Sequence, residues 1–366
     1  MKEKILFIGY INRDVSNGPS VVLYNIIEEC KKSKIKYKFI NTCCNSVIEK
    51  IRLLIKIFLI ILYKDFVINV HSYGYKIPYY ILLISKINKR NNYFFTLHGI
   101  LSEEVRYVEI NDSSSYKGYF KNKEKFDYME NRIIKEFPNI ICVSNSQRNI
   151  IDAKFNRRQN THVIYNGVNL NNKFEVKKIE NNKIKLIMAG GIYNLKNIFL
   201  VIELIIKYNK INNSKIYLKI YGGYESEELL KKYYKTIEEN KLNNYIEYKG
   251  KIKKAHLLNE YKKADFCIAI SKYDTFNLTA LEAMSVGTPV IISDKCGISE
   301  VIIDGVNGCI YNLENDNLTK ISYKIKKIVE NNELYNRICL NAYNESKKFS
   351  WNIITDKYVD LLLNRD

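Results

Sequence analysis

The sequence predicts an α/β fold: two doubly wound domains facing a central cleft. Three observations carry that expectation. Short runs rich in Ile, Val, Phe and Tyr alternate with longer helix-like segments, the rhythm of parallel sheets built through right-handed crossovers. The rhythm stops once, in a polar stretch at 171–183 made mostly of Lys, Glu and Asn, and then restarts. The chain has 366 residues, of which 46% are apolar, enough for two separate cores.

In order, 5–9, 37–41, 66–71, 93–97, 140–144 and 162–165 read as strands. Segments 21–32, 46–64 and 78–89 between them carry helical periodicity. The turn Asn166-Gly167-Val168-Asn169 leads into the polar stretch. Beyond it, 185–189, 215–221, 245–249, 266–270 and 289–293 read as strands with helices between. A long helical stretch at 318–348 precedes a last helix at 350–363, where Trp351, Ile354, Tyr358, Leu361 and Leu362 make one apolar face. Ligand is expected in the cleft between the two domains.

Composition narrows the class. Lys plus Arg number 58 against 39 Asp plus Glu, a formal net charge of +19. Such a charge points to nucleic acid, an anionic membrane, a phosphorylated ligand or solubility, and the heavy Asn, Ile, Lys and Tyr usage adds a compositional bias. Residues 1–102 hold 16 Lys and Arg against 6 Asp and Glu, a net +10, so over half of the excess sits in little more than a quarter of the chain. The eight cysteines form no C-x-x-C pair, and four histidines leave no zinc-site spacing, so reduced thiols and a cytoplasmic setting are expected. The N-terminus runs straight into a strand without a signal-peptide core. The most lipid-like stretch, 51–63, is interrupted by Arg52 and Lys56 and is too short to span a bilayer. It reads either as a basic helix lying on a membrane or as a buried layer helix.

The densest chemical signal is Ser271-Lys272-Tyr273-Asp274-Thr275-Phe276-Asn277-Leu278-Thr279-Ala280-Leu281-Glu282-Ala283-Met284, continuing to Gly287-Thr288-Pro289-Val290. A strand ends, a loop carries Asp274, and a helix starts near Asn277 or Leu278, where free backbone N–H groups suit phosphate. Glu282, one turn inside, can accept hydrogen bonds from a diol such as ribose.

This stretch resembles the signature of the retaining family 4 (group 1) glycosyltransferases of GT-B fold, bacterial surface-polysaccharide type. Further resemblances follow in order along the chain. Ala189-Gly190-Gly191-Ile192-Tyr193-Asn194-Leu195-Lys196-Asn197 is similar to the family's Gly-Arg-Leu-x-x-x-Lys-Gly turn. Thr96-Leu97-His98-Gly99 is similar to its His-Gly turn, and Asn17-Gly18-Pro19-Ser20 stands where a Gly-Gly loop opens the first helix. Asn166-Gly167-Val168-Asn169, Gly297-Ile298-Ser299-Glu300 and Gly305-Val306-Asn307-Gly308 match three more elements.

The resemblance implies two Rossmann-like domains: 1–168, acceptor-binding and joined by the C-terminal helix 350–366, and 169–349, binding the nucleotide sugar. It implies Lys196 on the donor diphosphate, backbone N–H groups of Phe276, Asn277 and Leu278 on the same phosphates, Asp274 on the transferred sugar and Glu282 on the ribose. His98 would approach the reacting carbon, Gly18 would let the first loop approach the phosphate and sugar, and Gly191 stands among the donor-binding residues. Lys251 and Ile252 stand where the family contacts the base, Glu300 is a weaker site candidate, and His71 is left unassigned. The implied activity is retaining, hexosyltransferase-like transfer from a nucleotide diphosphate sugar, UDP by default, to a glycan or lipid-linked acceptor. The setting would be capsule, lipopolysaccharide or other polysaccharide assembly, with the protein held peripherally on the anionic inner face of the cell membrane. No metal cofactor is expected, since the chain holds no Asp-x-Asp, and no nucleic-acid partner.

Three departures stand out. Asp274 replaces the usual Glu, Gly191 replaces the phosphate-binding Arg, and Asn replaces Gly at 17, 197 and 277. The missing Arg removes a charge-assisted contact of about 1.5–3 kcal/mol. A non-catalytic GT-B partner or scaffold protein with a degenerate donor site is therefore the alternative reading.

Overall fold

The computed structural model describes residues 4–11, 18–72, 74–108, 116–170, 173–180 and 182–364. Asn17 and part of the polar stretch, Asn171, Asn172 and Asn181, lie outside them.

The first sheet contains β1 (Ile5–Gly9), β2 (Tyr37–Asn41), β3 (Val67–Ser72), β4 (Asn92–Leu97), β5 (Asn139–Cys142) and β6 (Thr161–Val163), in the order β2-β1-β3-β4-β5-β6. The second contains β7 (Lys183–Ala189), β8 (Lys215–Tyr221), β9 (Ile246–Gly250), β10 (Phe266–Ala269), β11 (Val290–Ser293) and β12 (Gly308–Tyr311), in the order β12-β11-β10-β7-β8-β9. All described strand pairs are parallel. Crossover helices cover both faces of such a sheet, so central strands read as unbroken apolar runs. Ile-Leu-Phe-Ile-Gly in β1 and Phe-Cys-Ile-Ala in β10 are buried at every position. The edge strand β9 instead alternates, with exposed Glu247 and Lys249 between buried Ile246 and half-buried Tyr248 and Gly250.

Strand order reverses between β1 and β3 in the first sheet and between β7 and β10 in the second. In doubly wound sheets, ligands gather at the carboxyl ends of the strands flanking such a reversal.

Two expectations change. The strand β12 does not appear in the sequence reading, because its four residues follow Asp304-Gly305-Val306-Asn307 and look like a continuing turn. The stretch 318–348 is two helices, Leu318–Val329 and Asn332–Ser346, separated where the Asn331 side chain caps the second by accepting from Leu334 N at 2.9 Å. Elsewhere the caps fall where the sequence puts polar residues: Ser46 caps helix Val47–Tyr63, and Ser144 caps Asn145–Phe155.

The chain forms two compact units. One comprises Met1–Leu101, Asn122–Gly167 and Phe349–Asp366, and the other Ser102–Lys121 and Val168–Lys348. Each has its own core, the first around Phe7-flanking Leu6 and Ile8, Val70 and Phe95, the second around Leu186, Leu218, Ile268 and Ile291. Helix Trp351–Leu363 belongs to the first unit, where it packs on helix Gly18–Lys32. All eight cysteines are free, and six are buried.

Candidate functional site

In the second unit, the loops that follow β7 and β10 meet at the strand-order reversal. β7 ends at Ala189 and the chain turns through Gly190 and Gly191, with φ of +122° and +81°. A second glycine pair, Gly222-Gly223, ends β8. The two pairs pack backbone on backbone: Gly190 N and Gly191 N donate to Tyr221 O at 3.0 and 2.9 Å, and Ile192 N donates to Gly223 O at 2.9 Å. A Cβ on Gly191 would lie 1.9 Å from Gly223 O, so this backbone holds no side chain there. The glycine in place of the family Arg is thus one half of a glycine–glycine contact as well as a lost charge. Lys251 lies beside the pair, its Cε 3.3 Å from where a Gly223 Cβ would stand.

After this turn Asn194–Lys196 forms one 3-10 turn, whose first N–H donates to the buried Glu225 carboxylate at 2.8 Å. Asn197 takes the left-handed conformation and opens helix Ile198–Ile211. Lys272 N donates to Leu195 O at 2.9 Å and ties this turn to the loop after β10. Across that tie, Lys196 Nζ donates to Asp274 Oδ2 at 2.7 Å, and both side chains are partly buried. Burial works against the ammonium, but the Asp274 carboxylate overrides it, so the Lys196 pKa stands above the ordinary lysine value.

Asp274 also accepts from Phe276 N at 3.1 Å and from Asn277 Nδ2 at 3.2 Å. A carboxylate bonding the amide two residues on closes an Asx turn, a reach set by the shorter Asp side chain. Of the three amides assigned to phosphate, Phe276 N is therefore engaged with Asp274. Asn277, left-handed at φ 82°, caps helix Leu278–Met284 by accepting from Ala280 N at 3.0 Å. Glu282 is buried and pairs with Lys254 Nζ at 2.7 Å, a partner that sequence reasoning missed. Glu300 is exposed. Segment Ser102–Lys121 counts with this unit: Tyr107 stacks on Tyr273 with ring centroids 6.4 Å apart, and the Glu104 carboxylate adds to the field on Lys196.

The first unit places His98 just past the end of β4, buried. His71 on β3 stands opposite Thr96, so period-two alternation puts Asn69, His71, Thr96 and His98 on one face. His98 Nε2 and His71 Nδ1 are 3.2 Å apart, His71 Nε2 and Asn69 Oδ1 are 2.6 Å apart, and Asn69 Nδ2 donates to Thr96 Oγ1 at 3.1 Å. Burial pushes the His98 pKa down to about 3, and burial with the neighbouring His98 ring puts His71 well below the ordinary value, so both rings are neutral. The order of protons follows. Asn69 Oδ1 has none to give, so His71 donates through Nε2 and its bare Nδ1 accepts from His98 Nε2–H. His98 is left with Nδ1 as its acceptor nitrogen. Sequence reasoning missed this relay, whose only signal was a His two residues after an Asn on one strand. Gly18, exposed, is the first residue of helix Gly18–Lys32.

The second-unit arrangement suits a negatively charged ligand: a lysine held in place at a sheet's reversal point, glycine backbone with no side chain in the way, and a carboxylate able to take a hydroxyl. Among the described residues, no group of three or more His, Cys, Asp or Glu gathers as a metal-ligand set.

Residues 170–345 match the family described as "Glycosyl transferases group 1", and residues 50–172 match "Glycosyltransferase Family 4". An uncharacterized glycosyltransferase of Methanocaldococcus jannaschii is 29% identical over 288 residues, 72% of this chain and 70% of the relative. A 41.2 kDa protein from the cps region of Klebsiella pneumoniae is 23% identical, covering 95% of this chain and 94% of its own. Among solved structures, Anabaena HepE in complex with UDP aligns over the whole of both chains with a TM-score of 0.70 at 17% identity. The lipopolysaccharide outer core galactosyltransferase WaaB aligns over 99% of this chain and all of its own, with a TM-score of 0.72 at 15% identity. These likenesses show the GT-B fold, and with the two family matches in series they establish that this chain belongs to the group 1, family 4 glycosyltransferases.

Proposed function

We propose that this chain transfers a hexose from a nucleotide diphosphate sugar, a UDP-sugar by preference, to a glycan or lipid-linked acceptor with retained anomeric configuration. The Lys196–Asp274 pair at the β7/β10 reversal carries this reading. Lys196 spends one N–H on Asp274, leaving the others for the donor diphosphate, where a fixed cation stabilises the charge that develops on the leaving group. Asp274 keeps acceptor capacity for a hydroxyl of the sugar. Asn277 and Leu278 amides complete the phosphate contacts, Glu282 holds the ribose, and the backbone at Gly191 and Gly18 approaches the donor. In the reaction the bond from the anomeric carbon to the phosphate oxygen breaks as the acceptor oxygen bonds on the same face, and the acceptor proton passes to the departing phosphate. His98, neutral, orients the sugar near that carbon. The scheme assigns leaving-group charge to Lys196 and the amides and calls for no metal.

Residues 1–168 with the C-terminal helix are proposed to take the acceptor, and 169–349 the donor. The UDP bound by HepE supports the donor class, and the named role of WaaB and the cps location of the Klebsiella relative support polysaccharide or lipopolysaccharide assembly. The basic N-terminal quarter supports a peripheral position on the anionic inner face of the membrane.

The test is a thermal-shift and calorimetric screen of nucleotides and nucleotide sugars on the intact chain and on Lys196→Ala. UDP and a UDP-sugar should bind, and Lys196→Ala should weaken them about tenfold to a hundredfold, the cost of one charge-assisted hydrogen bond. Binding of no nucleotide at all would favour the non-catalytic scaffold instead.

A further inference from the structure

The helix Val47–Tyr63 is apolar on two sides. Ile57 and Ile61 face the core of the first unit, and Leu54 O accepts from Tyr80 Oη of the neighbouring helix Lys76–Ile87 at 3.0 Å. On the outer side Ile48, Ile51, Ile55, Leu59 and Tyr63 recur at spacings of three and four residues, one continuous stripe along a helix. Leu83 and Ile87 of the neighbouring helix add to the exposed apolar surface, and all seven residues are between 40% and 75% exposed. Isolated exposed apolar side chains are ordinary, but a contiguous stripe marks an interaction surface.

Charge identifies the partner. Arg52 and Lys56 follow Ile51 and Ile55 along the flank of the stripe, both exposed. Lys64 caps the helix C-terminus, and Arg90, next to Lys89, donates to Leu62 O at 2.7 Å. Against these cations stand Glu49, which accepts from Asn45 N, and Asp65. An apolar stripe edged by basic side chains that snorkel toward headgroups is the pattern of a helix lying in a membrane interface. Among the described residues, no helix is long and apolar enough to cross a membrane.

We propose that the outer face of Val47–Tyr63, extended by Leu83 and Ile87, inserts into the headgroup region of an anionic bilayer, an assignment that rests on the membrane association already proposed. Flotation of the intact protein with phosphatidylcholine vesicles, with and without phosphatidylglycerol, tests it. Wild type should float with the anionic vesicles. The double change Ile55→Glu and Leu59→Glu should cut the bound fraction by at least about tenfold, since each buried aliphatic side chain is worth more than a factor of ten. Arg52→Glu with Lys56→Glu should remove the preference for anionic lipid. Unchanged circular dichroism would show that the variants fold. If wild type floats and the apolar double variant floats equally, this surface is wrong while membrane association stands. If wild type fails to float, the membrane association itself falls and this surface with it. If wild type is a dimer and the double variant a monomer with unchanged flotation, the stripe joins two copies and the proposal is overturned.

Discussion

Gly191 shows how a single position changes meaning once its neighbours are known. In the linear pattern it is an absent arginine; in space it is a left-handed residue pressed against Gly223 O. Gly191→Arg should therefore damage the protein: the left-handed backbone alone costs a non-glycine residue about 1–3 kcal/mol. A lowered unfolding temperature with no gain in UDP affinity is the expected result, and a gain in affinity at unchanged stability would show that the position is a binding site in waiting. Asn197 and Asn277 also have positive φ, a region that Asn tolerates better than most residues because its short polar side chain can hydrogen-bond locally. The histidine pair makes a second residue-scale prediction. An unfolded histidine titrates near pH 6.5, whereas buried His98 and His71 titrate far lower, so below pH 6.5 the unfolded chain binds more protons. Stability should fall as pH drops from about 6.5 toward 5, by up to about 1.4 kcal/mol per pH unit for each ring. Urea unfolding across that window should show the slope, and the double variant His71→Asn, His98→Gln should flatten it.

At the scale of elements, short-range patterns placed the helices well. Polar caps and apolar periods are local properties, so Ser46 and Ser350 fall at helix starts in sequence and structure alike, whereas Ser144, which reads as the end of a strand, caps helix Asn145–Phe155. The strand β12 and the break at Asn331 escaped notice, since four residues carry too little period and a single Asn inside a long helical pattern resembles a surface residue. The C-terminal helix rests on one close contact in particular: a Cβ on Gly167 would lie 2.4 Å from the Trp351 ring. Trp351 is buried with Ile354, Tyr358 and Leu362. Trp351→Ala should cost about 3–5 kcal/mol, as large-to-small changes in cores do. Hydrogen exchange should then quicken in helices Gly18–Lys32 and Trp351–Leu363 while β7 to β12 keep their protection; equal quickening in both units would contradict the assignment of this helix to the first.

For the whole molecule, two units with separate cores give ligand binding a distinct signature. A donor held by Lys196 and Asp274 stabilises the unit that contains them, by about 2.7 kcal/mol at a concentration one hundred times its Kd. Hydrogen exchange with saturating UDP should slow in the loops after β7 and β10 first. Slowing centred on His98 with none at Lys196 would move the nucleotide to the other unit. The net charge is legible at this scale too. The +10 of residues 1–102 is a property of composition, but only the folded first unit shows that part of it edges an apolar stripe.

Sequence by itself determined that this chain is a tandem of parallel α/β units and that its motifs follow the family order, because strand burial, helix period and turn chemistry are written locally. That Lys196 and Asp274, 78 residues apart, serve one donor site was implied only through resemblance, and their ion pair is a product of the strand order that brings β7 beside β10. Gly191 on Gly223, Lys254 on Glu282 and the Asn69–His71–His98 relay were decided by tertiary structure alone. So was the exposure of the Val47–Tyr63 stripe. An apolar residue announces that it prefers to leave water, but whether anything covers it depends on what the rest of the chain packs against it.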